Sequence, residues 1–317
     1  MTIKEYFVKK MLNNWEERDN RILARQSLPL GIRQKVDIPY IDDGNRGHLL
    51  DVYYPEGATE RLPVIIDLHG GGFLYGYKEM NRLYGYHLAK RGFVVVNINY
   101  RLAFRDTTVL GQIQDVIAAI NWVAHRLGPY HADTDKIFLT GESAGGVLAA
   151  MAALIAKSER LQGIFHVAAM DAEIKALALI CGMMGFDEPS IGYWGMRSMC
   201  FDKGYKKQEY YQNMIFEHLP ELSALPPTFL STSDEDELRH MTLNFEETLK
   251  KYGIDYQLKY YQKVPDKRLG HMFSVLHPDY DESCELMDAM TNFFQKAALK
   301  QDKTGLPQAL SNSKAGV

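Results

Sequence analysis

The stretch that decides the reading is Lys136-Ile137-Phe138-Leu139-Thr140, then Gly141-Glu142-Ser143-Ala144-Gly145-Gly146, then an Ala-, Leu- and Met-rich run to Lys157. A short apolar run reads as a buried strand, and the segment from Ala144 to Lys157 reads as a helix. Between them lies G-x-S-x-G. A strand entering a helix through so tight a turn forces the central serine into a strained backbone and lifts its hydroxyl above the sheet edge. Glycines two positions to either side leave room where a Cβ would meet backbone. The free N–H groups of the helix N-terminus then face any negative charge that develops there.

Working outward, Pro63–Leu68, Phe93–Ile98, Ala176–Ile180, Thr228–Ser231 and Gln257–Tyr261 read as further strands. The spacing of Leu110, Ile113, Ile117, Ile120, Ala124 and Leu127 predicts an amphipathic helix stopped by Gly128-Pro129. Helices are also expected over Asn81–Lys90 and Ser283–Leu299. Lys35–Tyr40 and His48–Tyr54, parted by Asp42-Asp43-Gly44-Asn45, read as a hairpin. Alternating strands and helices specify an α/β fold, a mostly parallel sheet with helices on both faces. Two stretches break the alternation: the N-terminal helical segment, and the aromatic, Met-rich segment from Gly182 to Leu222, too long for a simple loop. The expected organisation is one domain over 1–317, with cap elements at 1–34 and 182–222 and a mobile polar tail at 301–317.

His69-Gly70-Gly71-Gly72-Phe73 directly follows the strand ending at Leu68. Consecutive glycines expose backbone N–H groups, which acyl transfer needs where a carbonyl oxygen becomes an oxyanion. A phosphate loop would call for G-x-G-x-x-G or Gly-Lys-Ser, and neither stands here. A serine hydroxyl attacks only when a base takes its proton and a third group orients that base. Among ten histidines, His271 in Gly270-His271-Met272-Phe273 lies in a loop that can reach the serine, with His277 the competitor. His69 is expected to brace the glycine loop, and His125 and His240 fall on helices. The acid comes from Asp234-Glu235-Asp236-Glu237 after the strand ending at Ser231, with Asp236 preferred and Asp234 second.

The order Ser143, Asp236, His271 is that of an α/β-hydrolase. From about Leu50 to Phe294 the chain resembles the hormone-sensitive-lipase-like branch of bacterial carboxylesterases and acetyl esterases. The resemblance rests on Asp51-Val52-Tyr53-Tyr54-Pro55, the HGGGF at His69, Asn99-Tyr100-Arg101-Leu102-Ala103, the GESAGG at Gly141, Leu225-Pro226-Pro227-Thr228 and Gly270-His271-Met272-Phe273. It implies Ser143 as nucleophile, His271 as base and Asp236 as acid, the last in an Asp-x-Leu context that Asp234 lacks. It implies oxyanion donors at Gly71, Gly72 and Ala144, a helical cap, and no metal or cofactor. Phe104-Arg105 stands where Pro-Glu is usual, and Glu142 where aspartate is commoner. Related esterases often dimerise, so a homodimer is an expectation.

Lys and Arg number 36 against 40 Asp and Glu, a net charge of −4 that favours neither nucleic acid nor an anionic membrane. Three widely spaced cysteines form no zinc spacing and no disulfide framework. No apolar leader precedes Asn20, and no run is long enough to span a membrane; a cytoplasmic protein is expected. The expected activity is hydrolysis of short-chain, acetyl-type esters of small molecules through an acyl-enzyme. Amide, formamide or lactone hydrolysis on the same triad, or a non-catalytic ligand-binding role, stand as alternatives. Phe73, Tyr193, Trp194 and Met272 are the candidate pocket residues, and the cap aromatics could equally form the cap's own core.

Overall fold

The computed structural model describes the backbone of residues 3–188 and 191–304 and the side chains of residues 6, 8–188 and 195–300. In chain order the helices and strands are α1 (Ile3–Leu23), β1 (Ile32–Pro39), β2 (Leu49–Pro55), β3 (Leu62–Leu68), α2 (Arg82–Ala89), β4 (Val94–Ile98), α3 (Val109–Arg126), β5 (Ala132–Glu142) and α4 (Ala144–Ile155). There follow α5 (Glu159–Phe165), β6 (Ile174–Ile180), α6 (Ile191–Cys200), α7 (Glu209–Gln212), β7 (Thr228–Ser233), α8 (Arg239–Tyr252), β8 (Tyr256–Tyr261), α9 (Phe273–Leu276) and α10 (Asp281–Thr304).

The eight strands form one sheet in the order β1-β2-β4-β3-β5-β6-β7-β8. β1 and β2 make the expected antiparallel hairpin, and β2 is antiparallel to β4. From β4 onward every pair is parallel. Strand periodicity splits the side chains between two layers. Val64, Ile66, Leu68, Leu177 and Leu179 enter the core layer that holds Ile113, Ile117 and Ile120 of α3 and all of α4's larger side chains. Ile65, Phe138, Ala176, Ala178 and Ile180 enter the other, with Leu286, Met287, Met290 and Phe294 of α10. Every residue of α4 is buried, which explains a helix with no polar face. On the opposite side Phe138 stacks on Phe294 at 4.6 Å, a pair worth roughly 0.5–1.5 kcal/mol beyond the area it buries.

Two boundaries and one helix differ from the sequence expectation. β1 begins at Ile32, inside the expected cap element 1–34, because Gly31 with φ 82° turns the chain into the sheet. Of the expected tail at 301–317, residues 301–304 belong to α10, and residues 305–317 lie outside the described residues. α5 was not singled out in the sequence, although Ser158 caps it by accepting from the Leu161 N–H.

The stretch from Gly182 to Leu222 does fold as short helices rather than as an open loop. Its aromatic residues largely pack on one another: Phe201 meets Tyr211 at 5.0 Å and Phe186 at 6.0 Å, and Tyr205 meets Tyr211 at 4.7 Å. Met199 and Phe201 are buried in this cluster and serve as its core. α1 lies over the glycine loop, where Trp15 meets Tyr75 edge-on at 6.1 Å. Among the described residues, no helix is long and apolar enough to cross a membrane.

Candidate active site

The serine turn has the strain that its sequence demands. Ser143 sits at φ 52°, ψ −117°, between the end of β5 and the first turn of α4. Such a backbone costs of order 1–3 kcal/mol for a residue with a Cβ and persists only where its surroundings hold it. Here they do: the Ser143 N–H donates to Ile180 O at the end of β6, and the Ser143 carbonyl accepts from Gly146 and Met183. Gly145 explains the motif's second glycine. A Cβ there would lie 2.0 Å from Leu68 O and 2.6 Å from His69 O, backbone atoms that cannot swing aside. Gly145→Ala is therefore expected to cost about 3 kcal/mol or more, the upper range of overpacking, read as a lowered thermal midpoint.

His271 and Asp236 come from the loops after β8 and β7. His271 Nδ1 lies 2.7 Å from Asp236 Oδ1. The aspartate side chain is fully covered, whereas the imidazole is 24% exposed, so of the two only His271 can face an incoming molecule. Burial works against the Asp236 charge, yet the His271 contact, the Thr232 hydroxyl at 2.7 Å and the Leu238 N–H at 2.9 Å hold its carboxyl below the ordinary range. The lip of β6 ties this pair to the serine. Ile180 holds the Ser143 amide, and the next residue, Cys181, has its sulfur within 4.8 Å of ligand atoms of both Asp236 and His271.

The competitors are placed elsewhere. Asp234 pairs with Arg239 and the Tyr260 hydroxyl at the surface. His277 stacks on Tyr280 at 4.7 Å, His240 pairs with Glu188, and His125 with Asp171. His69 is stacked on Tyr100 at 4.2 Å with Nδ1 2.8 Å from Gly70 O, and burial pulls it down to about 4. It stays neutral and braces the loop.

Gly71 and Gly72 take φ 108° and 60°, and a Cβ on Gly71 would lie 2.1 Å from Tyr75 O. That fold turns the Gly71 carbonyl inward, where it accepts from Leu74 and Tyr75. The amides of Gly71, Gly72 and Ala144 donate to no protein acceptor among the described residues. Side chains of α6 and α1 approach this loop: a Cβ on Gly72 would stand 3.1 Å from Met196 Sδ and 4.0 Å from the Trp15 ring.

Of the candidate pocket residues, Phe73 is buried against Phe186 and Met272 is buried at the start of α9. The side chains of Tyr193 and Trp194, on α6, lie outside the described residues. Residues that the sequence did not flag also shape the site. Trp15 reached the loop only through tertiary packing, and Cys181 lay far from any motif. Cys181, Asp236 and His271 are the group of ligand-type side chains closest to a metal-binding arrangement among the described residues. Burial, then the Asp236 charge, pushes the Cys181 thiol well above its ordinary range.

A strained serine at a strand-to-helix turn, an orienting Asp–His pair and a glycine loop with free amides define an α/β-hydrolase. Within that class the chain is similar to esterases and carboxylic ester hydrolases. The family model BD-FAE matches residues 50–191. Esterase LipQ of Mycobacterium tuberculosis is 39% identical over 156 residues, 47% of this chain and 35% of that protein. Isoprenylcysteine alpha-carbonyl methylesterase ICME of Arabidopsis thaliana is 32% identical over 114 residues, 36% of this chain and 26% of that protein. The chain thus spans about a quarter to a third of these curated relatives. The likeness to a solved structure is far more extensive. Esterase B of Lactobacillus rhamnosis superposes with a TM-score of 0.85 at 27% identity, over 96% of this chain and 99% of that one.

Proposed function

We propose that the protein is a serine carboxylesterase that hydrolyses short-chain acyl esters of small molecules through an acyl-enzyme. The observation that supports the reading most is the 2.7 Å His271–Asp236 contact, on the loops after β8 and β7, together with the strained turn of Ser143. His271 Nδ1 is engaged by the aspartate, which leaves Nε2 to take the Ser143 proton. The serine oxygen attacks the ester carbonyl, and the oxyanion is held by the amides of Gly71, Gly72 and Ala144. The alcohol departs with the proton from His271, and water repeats the sequence on the acyl-enzyme.

The preference for a short acyl chain is supported by how closely Met196 and Trp15 approach the glycine loop at Gly72. It is also supported by esterase B of Lactobacillus rhamnosis, known in a structure inhibited by a C4-C4 SN3 tributyrin phosphonate. The test is hydrolysis of p-nitrophenyl esters from acetate to dodecanoate, with Ser143→Ala protein as the blank. Turnover is expected to be greatest on acetate and butyrate and to fall steeply beyond them. A maximum at the long chains would overturn the short-chain assignment, and no turnover above the blank would overturn the esterase reading.

A further inference from the structure

Beneath the glycine loop lies a cluster that the proposed mechanism does not use. Glu142, Asp67 and Asn81 are each 1% exposed or less, although two of them are acids. Asn81 Nδ2 donates to Asp67 Oδ2 at 2.7 Å and to Glu142 Oε1 at 2.8 Å. The same Glu142 oxygen accepts from the Gly70 N–H at 2.8 Å. Gly70 directly precedes the two glycines of the oxyanion loop, and Glu142 directly precedes Ser143. One carboxyl oxygen therefore joins the loop to the turn that carries the serine. The approach is close enough that a Cβ on Gly70 would lie 3.1 Å from the Ser143 Cβ.

We propose that Glu142, braced by Asn81 and backed by Asp67, is a positioning residue that fixes the oxyanion loop against the serine turn. The proposal rests on the esterase reading for its main assay. Donor counting assigns the charges within the cluster. Glu142 receives two N–H donors, whereas Asp67 receives one and its Oδ1 has no partner among the described residues. An anion is stable where donors converge, so Glu142 carries the charge and Asp67 the proton. Burial raises both carboxyls, and the Glu142 charge raises Asp67 further. The titratable groups around Glu142 are Asp67 on β3, Tyr84 on α2, Tyr100 after β4, His69 in the loop and His271 after β8. His271 is the one that gains a positive charge in the proposed mechanism, and that charge favours the Glu142 anion.

Two substitutions separate position from charge. Glu142→Gln keeps an acceptor near Gly70 and removes the charge; Glu142→Asp keeps the charge and withdraws the oxygen by one methylene. Each is expected to lower kcat on p-nitrophenyl acetate about ten- to a hundredfold, less than the ~10²–10³ for deleting an oxyanion donor outright, with KM within about threefold. Only the Gln variant should move the acid limb of kcat/KM to lower pH, which loss of packing would not do. Asp67→Asn, the neutral isostere of a protonated acid, should stay within about threefold of wild type at pH 7, and a tenfold loss would overturn the assignment of the proton to Asp67. The rate at which a fluorophosphonate labels Ser143, followed by intact mass, supplies a second readout. If wild type labels but hydrolyses no ester, the esterase reading fails while the labelling rates of the variants still test the loop. Unchanged kcat and labelling in whichever Glu142 variant folds would overturn the proposal.

Discussion

Ser143→Ala is expected to lose about 10⁴-fold or more in ester turnover while keeping its fold. The alanine occupies the same strained turn, whose hydrogen bonds to Ile180, Gly146 and Met183 are all made by backbone and survive the change. What disappears is the oxygen that would form the acyl bond, and no neighbour can replace it. Cys181, whose sulfur lies near Asp236 and His271, is fully buried and its thiol is pushed well up. The loop amides still polarise a bound carbonyl, so residual hydrolysis of roughly 10³–10⁴ over the reaction in water is expected. Initial rates on p-nitrophenyl acetate, with far-ultraviolet circular dichroism to verify the fold, decide the matter. A variant within tenfold of wild type would move the nucleophile elsewhere.

Asp236→Asn is expected to lower kcat by about 10³–10⁴, the scale seen when a triad aspartate becomes an amide. The amide can turn an N–H toward His271 Nδ1, which favours the wrong tautomer and leaves Nε2 protonated and unable to accept from serine. The Thr232 and Leu238 contacts hold the new side chain in place, so the loss should fall on kcat rather than on KM. The pH behaviour carries a sign that can be verified. A carboxyl held below its unfolded value of about 3.9 adds stability above that pH and loses it as the pH falls through the lower folded value. Wild type should therefore lose an increment of stability in acid, below about pH 4, that Asp236→Asn does not lose. Parallel stability curves for the two proteins below pH 5 would mean that the Asp236 charge is not held by its partners.

The parts of this site that were readable before folding are those whose chemistry is local. G-x-S-x-G between an apolar run and a helix carries its own steric reason, and Gly145 against Leu68 O is that reason in atoms. The choice of Asp236 over Asp234, two residues apart in one acidic loop, came from its Asp-x-Leu context, and the Leu238 N–H indeed donates to Asp236 Oδ1. What could not be read depends on residues distant in the chain. Asp67 and Glu142 meet only because β3 and β5 are adjacent parallel strands with Asp67 opposite Thr140. The strand order, with β4 inserted between β2 and β3, is likewise a property of the whole sheet. Phe73 carries a left-handed backbone with φ 67° and turns against Phe186, a direction that no local pattern announces. α5 was overlooked because seven residues hold too little periodicity to register.

The order of strands across the sheet also sets when the molecule becomes competent. The serine turn is framed by β3, β5 and β6, but the proposed acid and base follow β7 and β8, the last strands made, with β8 at the sheet's edge. During synthesis from the N-terminus, the segment with Ser143 is made before the loops that carry Asp236 and His271. Hydrolysis is therefore its own report of finished folding: in a refolding experiment, activity should return only with the docking of β8 and α10, after most of the sheet has formed.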